Sequence, residues 1–375
     1  MDLSDALSLV NERVRGLAPY HLEPRQTAIK LNQNENPYDW PAPIKEEIAD
    51  FCRQRPFNRY PDFVPDGLKR KLSEYTGVPA DGIIAGNGSN EMILVLLIAL
   101  AGTGADVVLC QPTFTVYRLL ARGLGAREHT VSLNSDLQFD VDEICGAVSA
   151  HPRSVLILCS PNNPTGSFLD ERDIRFILSK HTGMLILDQA YVEFGGYNAI
   201  PLLKDNPNLI VTRTFSKAFS GAGLRLGYML GTPAVIAEIN KVKLPYNINF
   251  FSDHVGQVLL SRPDLVRQRV EELVRERDGL LAFLRTLPFD NVYPSASNFI
   301  CMRTRRAVEL FSFLQRKGIL IRDVSRYPLL QDCLRVNVGT PDENRAFGSA
   351  AAEFFATPPA LQGAGARHTG KDGSS

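Results

Sequence analysis

Lys217 stands in the stretch TFSKAFSGAGLRLGYML (residues 214–230), among small residues and glycines, with no acidic neighbour and with Arg225 eight positions on. A lysine in such a loop loses hydration, and a nearby like charge adds to the cost of its ammonium, so both effects lower its pKa. The neutral amine is the form that attacks an aldehyde. Read alone, Lys217 is better taken as a phosphate ligand or as a lysine reaching water past the glycines. Asp188 ends the apolar run MLIL (184–187). A carboxylate there is costly to bury without a partner, so it reads as the partner of a cation, as a helix cap or as half of a local ion pair. Tyr191, three residues on, reaches the same place with a hydroxyl. Together, this Asp and this Tyr suit a pyridinium ring that carries a phenolate oxygen. The turn GNGSNE (86–91) leads from a short strand into an apolar helix. Its free N–H groups and the helix dipole favour an anion at Gly88, Ser89 and Asn90, although Ser89 also fits an ordinary N-cap. GAGLRLG (221–227) has GxGxxxG spacing and runs into a strand, unlike a dinucleotide fingerprint.

A parallel sheet is the element that brings such residues together. The runs DVVLCQP (106–112), SVLILCSP (154–161), GMLILDQA (183–190), NLIVTRTFS (208–216) and LGYMLG (226–231) read as strands buried on both faces, with spacers long enough for crossover helices. Sheets of this kind bind ligands beyond the carboxyl ends of their strands, which is where Asp188, Lys217 and the polar turn SPNNPTG (160–166) fall. The expected fold class is therefore α/β: a mostly parallel sheet wrapped by helices in a large domain, followed by a smaller α+β domain. The second domain is read from the long charged helix DLVRQRVEELVRERDGLLAFLRTL and the alternating segments SNFICMR, GILIRDV and CLRVNVG. The boundaries read as an N-terminal arm over 1–38, a large domain over 39–245, a small domain over 246–356 and a tail over 357–375. The arm has no sheet pattern of its own and is expected to pack on the small domain or on a partner subunit. The tail is rich in Pro, Gly and Ser and has nothing to bury, so it is expected to be disordered.

Composition narrows the function. The 375 residues carry 41 basic and 41 acidic side chains, a formal net charge of zero that argues against nucleic acid or an anionic membrane as partner. The six cysteines and six histidines are scattered without metal-ligand spacing, so no metal is expected and the thiols read as free and reduced. The start, MDLSDALSLVNERVRG, is acidic and amphipathic, which is wrong for a targeting peptide. The apolar run from Met92 is too short to span a bilayer. A soluble cytoplasmic protein is expected.

An anion cradle, a buried Asp, a Tyr and an activated Lys at one sheet edge match the needs of pyridoxal phosphate. With LNQNENPY (31–38), NRYPD (58–62), QPTFTVY (111–117), SPNNPTG (160–166), DQAYVEF (188–194) and LRVNVGT (334–340), the chain resembles a fold-type I pyridoxal-phosphate enzyme of the class I/II aminotransferase superfamily. It is most similar to the histidinol-phosphate aminotransferase family. The motifs run in family order over about residues 15–355. The resemblance implies that Lys217 carries the cofactor covalently and shuttles the substrate's proton. Asp188 would pair with the pyridine nitrogen, and Tyr191 and Asn163 would bond the 3-oxygen. Gly88, Ser89, Asn90, Thr214, Ser216 and Arg225 would hold the phosphate, and Phe114 would stack on the ring. Tyr60 would reach the phosphate of a neighbouring subunit, which implies a homodimer with shared sites. Arg322, Arg335 and Tyr20 would bind the anionic end of the substrate, where arginine forks suit a phosphate or carboxylate better than lysines do.

Three positions depart from the family pattern: Phe114 where a tyrosine is expected, Gln189 where glutamate is usual, and the extra-polar Gln33. None removes a catalytic group. The implied reaction is amino transfer between L-histidinol phosphate and 2-oxoglutarate, in histidine biosynthesis. A phosphoamino-acid decarboxylase, an aromatic amino acid aminotransferase and a specialised-pathway aminotransferase share the same fold and motifs. A cofactor-retaining regulator would need a DNA-binding module, and no basic helix-turn-helix segment precedes the aminotransferase-like region. A nicotinamide dehydrogenase would need a GxGxxG turn between a strand and a helix.

Overall fold

The computed structural model describes residues 1–19 and 27–357. Tyr20 and the tail from residue 358, whose disorder the composition predicts, lie outside the described residues.

Seven strands form the central sheet. Their order is Ile83–Gly86, Gly227–Leu230, Leu209–Thr214, Met184–Asp188, Val155–Cys159, Asp106–Gln111 and Arg127–Ser132. Gly227–Leu230 is antiparallel to both neighbours, and the other adjacent pairs are parallel. The expected α/β architecture is therefore present. The inner strands are largely apolar and almost wholly buried because both faces are covered. Val155 and Ile157 pack on one side with Met92 and Leu96, while Leu156 and Leu158 pack on the other with Ile174 and Ile177. Each such fully buried aliphatic side chain contributes about 1.5–3 kcal/mol. The edge strand Arg127–Ser132 is absent from the sequence reading. Only Val131 of its six residues is buried, so REHTVS carries no apolar run to betray it.

A second, antiparallel sheet joins Arg322–Asp323, Cys333–Asn337, Phe299–Arg303 and Asn291–Val292. The helices Pro263–Leu284, Ala307–Arg316 and Pro341–Ala356 cover it through Leu280, Leu310, Leu314 and Phe347. Between the two sheets, the helix Phe250–Leu260 sends Val255, Val258 and Leu259 into the core of the large sheet, beside Leu68 and Leu72.

The arm does contain a strand. Ile29–Lys30 pairs in parallel with Ile319–Leu320, and the Leu31 N–H donates to the Leu320 carbonyl at 2.7 Å. A two-residue strand is too short for any periodicity to reveal. Its effect is to lay residues 32–36 along the carboxyl edge of the large sheet, where Asn36 Nδ2 donates to the Lys217 carbonyl at 3.3 Å. No helix among the described residues is long and apolar enough to cross a membrane.

Candidate active site

Strand ends of the large sheet, the small sheet and the arm meet over one cavity of about 460 Å³. Asp188 and Thr214 are the last residues of their strands, and Lys217 follows Thr214 by three positions. Phe114 follows the strand Asp106–Gln111, and Ser89 and Asn90 occupy the first turn of the helix Gly88–Leu100. Asn163 comes from the turn after Val155–Cys159, and Arg322 and Arg335 come from the small sheet. All of these, with Tyr191, Ser216 and Arg225, line the cavity.

One end of the cavity is built for an anion. Ser89 lies inside the helix; the N-cap is Asn87, whose side chain donates to the Asn247 carbonyl at 2.6 Å. Gly88 has φ +78°, and a Cβ there would stand 2.7 Å from Arg225 Nη2, so glycine lets the guanidinium reach the helix start. A Cβ on Gly227 would meet the Ser89 nitrogen at 2.4 Å. Arg225 is itself left-handed, with φ 51°. Its Nη1 donates to Ser216 Oγ at 3.3 Å, and the Thr214 hydroxyl donates to the same oxygen at 2.9 Å. A helix N-terminus, a guanidinium and two hydroxyls thus converge.

At the other end Asp188 is 4% exposed. Its Oδ2 accepts from the Tyr117 hydroxyl at 2.6 Å, and its Oδ1 from the Ala190 N–H at 3.1 Å. Burial pushes its pKa up, and the Tyr117 bond opposes that shift. The Tyr191 hydroxyl accepts from Asn34 Nδ2 at 3.0 Å, leaving its proton to donate elsewhere. Arg335 is 7% exposed; its Nη1 donates to Asn163 Oδ1 and its Nη2 to the Asn32 carbonyl at 2.8 Å. Arg322 and Arg335 are register partners on adjacent antiparallel strands. Asp323 does not pair with Arg322; it accepts from the Ser325 N–H at 2.8 Å.

Lys217 lines the same cavity. Its Nζ donates to the Gln33 carbonyl at 3.1 Å and sits 5.6 Å from the centre of the Tyr191 ring. Its pKa is pulled down to about 7, chiefly by desolvation and then by Arg335. Arg225, the cation named from the sequence, acts in the same direction but less strongly, and Glu35 opposes it. The larger cationic neighbour belongs to a different sheet and has no sequence proximity.

Tyr60 is not among the residues lining its own chain's cavity. It is 78% exposed and stacks on Tyr246 with ring centres 4.8 Å apart. The sequence reading also missed Asn32, Asn34, Glu35, Tyr117, Cys159 and Tyr327, which line the cavity. Asn34 has φ 54° and is buried. Only its place in the polar run LNQNENPY hints at it. Gln189 is fully buried; its amide donates to the Tyr197 carbonyl at 2.6 Å and accepts from Arg213 at 3.2 Å, so it fastens the loop behind Asp188. Among the described residues, Asp106, His129 and His151 bring potential metal-ligand atoms within 4.8 Å of one another. Arg127, however, forks onto both Asp106 oxygens at 2.9 and 3.0 Å, so this is an ion-paired cluster at the amino-terminal edge of the sheet.

The model of the family described as aminotransferase class I and II matches residues 26–349. The chain belongs to this family. Histidinol-phosphate aminotransferase from Chlorobium phaeobacteroides is 38% identical over 344 residues, which is 91% of this chain and 96% of that protein. Histidinol-phosphate aminotransferase 2 from Nitrosococcus oceani is 38% identical over 342 residues, 90% and 95% of the two chains. The crystal structure of histidinol-phosphate aminotransferase from Sinorhizobium meliloti in complex with pyridoxal-5'-phosphate has a TM-score of 0.84 at 24% identity, covering 93% of this chain and 98% of that one. At that identity the likeness speaks for the fold.

The cavity of this aminotransferase fits pyridoxal phosphate. The glycine-opened cradle at Arg225 matches its phosphate. The buried Asp188, bonded by neutral donors, matches a protonated ring nitrogen. The lysine whose pKa lies near 7 matches its aldehyde.

Proposed function

We propose that the chain is a histidinol-phosphate aminotransferase, moving the amino group of L-histidinol phosphate to 2-oxoglutarate to give imidazole-acetol phosphate and L-glutamate, a step of histidine biosynthesis. One observation carries the reading: an amine with a pKa near 7 shares a single cavity with two arginines in register, Arg322 and Arg335. The identity of 38% over nine-tenths of the chain to proteins of that activity supports the choice of donor.

Pyridoxal phosphate supplies an aldehyde that bonds amines and a ring that takes up the electron pair left when the substrate's Cα proton departs. The chain's own residues divide the remaining work. Lys217 would be the point of covalent attachment and, as a free amine, would hold and move the proton that leaves the substrate Cα. Asp188 would pair with the protonated ring nitrogen. Tyr191 and Asn163 donate to the 3-oxygen, and Phe114 covers the ring face. Gly88, Ser89, Asn90, Thr214, Ser216 and Arg225 bind the phosphate. Arg322 and Arg335 receive the phosphate of the donor and then a carboxylate of 2-oxoglutarate, both of which suit guanidinium forks. The same reading assigns Tyr20, which lies outside the described residues, to the substrate's anionic end.

The working unit is a homodimer. Phe57, Tyr60, Phe63 and Leu244 are 70%, 78%, 61% and 69% exposed, and Tyr60 and Phe63 both meet Tyr246; exposed apolar groups of this kind mark an interface. Tyr246, stacked on Tyr60, adjoins Asn247, which holds Asn87 beside the phosphate turn. A second copy packed there would bring its Tyr60 to this phosphate site. The six free thiols suit a reducing compartment, the cytoplasm. The division into an arm to residue 38, a large domain to 245 and a small domain to 356 belongs to the same reading.

The test is a substrate panel of histidinol phosphate, phosphothreonine and aromatic amino acids, scored for glutamate formed from 2-oxoglutarate and for carbon dioxide released. Glutamate formed with histidinol phosphate as the preferred donor is expected. Carbon dioxide release from phosphothreonine without amino transfer would overturn the reading. In Lys217→Ala, turnover is lost while the chain stays folded, and borohydride treatment of the loaded wild type adds the cofactor's mass to the peptide that carries Lys217.

A further inference from the structure

Tyr117 lies outside every role assigned so far. It sits on the short helix Val116–Gly123, which follows the strand Asp106–Gln111, and it is 1% exposed. A buried phenol needs a partner for its hydroxyl. Here that partner is a carboxylate: the Tyr117 hydroxyl donates to Asp188 Oδ2 at 2.6 Å, a charge-assisted bond. The Ala190 N–H holds the other oxygen at 3.1 Å. An ionised carboxylate offers about four acceptor positions, so these two bonds fix its plane and leave a lone pair for a ring nitrogen. The same side chain also meets Phe114 edge-on, with ring centres 5.6 Å apart at 83°. One residue therefore braces both the buried carboxylate and the aromatic that line the same cavity.

We propose that Tyr117 is a positioning residue for the cofactor ring: through its hydroxyl it keeps Asp188 ionised and aimed at the pyridine nitrogen, and so keeps that nitrogen protonated. The proposal rests on the cofactor reading above. Without the hydroxyl, the buried carboxylate loses its strongest neutral donor and its charge becomes harder to hold. The ring nitrogen then shares its proton less completely, and the ring becomes a poorer acceptor of electrons.

Tyr117→Phe removes the hydroxyl and leaves the ring against Phe114, so packing is kept. The experiment measures the affinity of cofactor-free protein for pyridoxal phosphate and for its 1-deaza analogue, in which CH replaces the ring nitrogen. Tyr117→Phe is expected to weaken pyridoxal phosphate by roughly 10-fold or more, the scale of a lost bond to a charged group. Binding of the analogue, which offers Asp188 nothing, stays within about 2-fold. In the loaded variant, the 15N resonance of the ring nitrogen moves toward its unprotonated position. In an Asp188→Asn background, Tyr117→Phe has no further effect on either ligand. Equal weakening of both ligands, or an unmoved 15N resonance, would reduce Tyr117 to packing and overturn the proposal. Wild-type protein that binds neither ligand would instead overturn the cofactor reading beneath it.

Discussion

Lys217 Nζ donates to the Gln33 main-chain carbonyl at 3.1 Å, so the reactive amine of the large sheet rests on the arm that runs beside the small sheet. A carbonyl accepts a hydrogen bond from the amine or the ammonium alike, and it adds no charge to retain the proton. Desolvation and Arg335 therefore prevail over Glu35, and the pKa falls to about 7.

This has a consequence for stability in the cofactor-free protein. The folded pKa, about 7, lies below the ordinary 10.5, so between those values the unfolded chain binds more protons than the folded one. Stability then rises with pH through that window, and the penalty of burying the ammonium is fullest below about pH 7. Replacing Lys217 by Met removes the penalty. Lys217→Met should raise the melting temperature of cofactor-free protein more at pH ~6 than at pH ~10. A difference that does not depend on pH would mean that the folded lysine keeps an ordinary pKa. The rate of pyridoxal phosphate uptake should also climb with pH, with a midpoint of about 7.

The two register arginines should separate in kinetics. Arg335 binds Asn163 and the Asn32 carbonyl as well as facing the cavity. Arg335→Ala is expected to raise KM for histidinol phosphate by ~10- to 100-fold, the range of a lost charged hydrogen bond, and to lower kcat because Asn163 loses its anchor. Arg322 makes no ion pair with Asp323, and Arg322→Ala should raise KM with little change in kcat. Steady-state kinetics with histidinol phosphate and with histidinol distinguish the two: the dephosphorylated donor should keep its KM under either change, while Arg335→Ala lowers kcat for both donors. Equal rises in KM for both donors would mean that neither arginine reads the phosphate.

What could be read in the sequence follows from where each interaction begins and ends. Asp188 and Lys217 stand where apolar runs stop, and a buried strand advertises its own end. The glycine turn before the helix Gly88–Leu100 was legible because a helix start and its glycines are local features. Tyr117 and Asn34 could not be read the same way, since their partners Asp188 and Tyr191 are 71 and 157 residues away. The same holds for the leading cation beside Lys217. Arg335 acts on the amine from Cys333–Asn337 of the small sheet, across the cavity that both residues line. The edge strand Arg127–Ser132 escaped because partial exposure leaves its residues free to be charged.

The sheet interior sets the stability of the platform under the site. Leu158 is fully buried one residue before Cys159, in the core that includes Leu187 and Ile174. Leu158→Ala should cost ~2–5 kcal/mol in chemical denaturation, the range for truncating a buried leucine that leaves a cavity. A loss under about 1 kcal/mol would mean that the core collapses around the missing atoms.

The shared-site reading admits a complementation test. Tyr60 is exposed and lies off its own cavity, whereas Lys217 lines it. If Tyr60 serves the partner's phosphate, Lys217→Ala and Tyr60→Ala chains damage different halves of one composite site. A mixed dimer then holds one site with both residues intact and one with neither, because a two-fold interface exchanges the same patch in both directions. Equal amounts of the two variants, unfolded and refolded together, give mixed dimers as half of the population. Each mixed dimer has one intact site of two, so activity should recover to about a quarter of wild type from two nearly inactive parents. Activity that stays at the mean of the separate variants would place Tyr60 outside the partner's site, even if sedimentation finds a dimer.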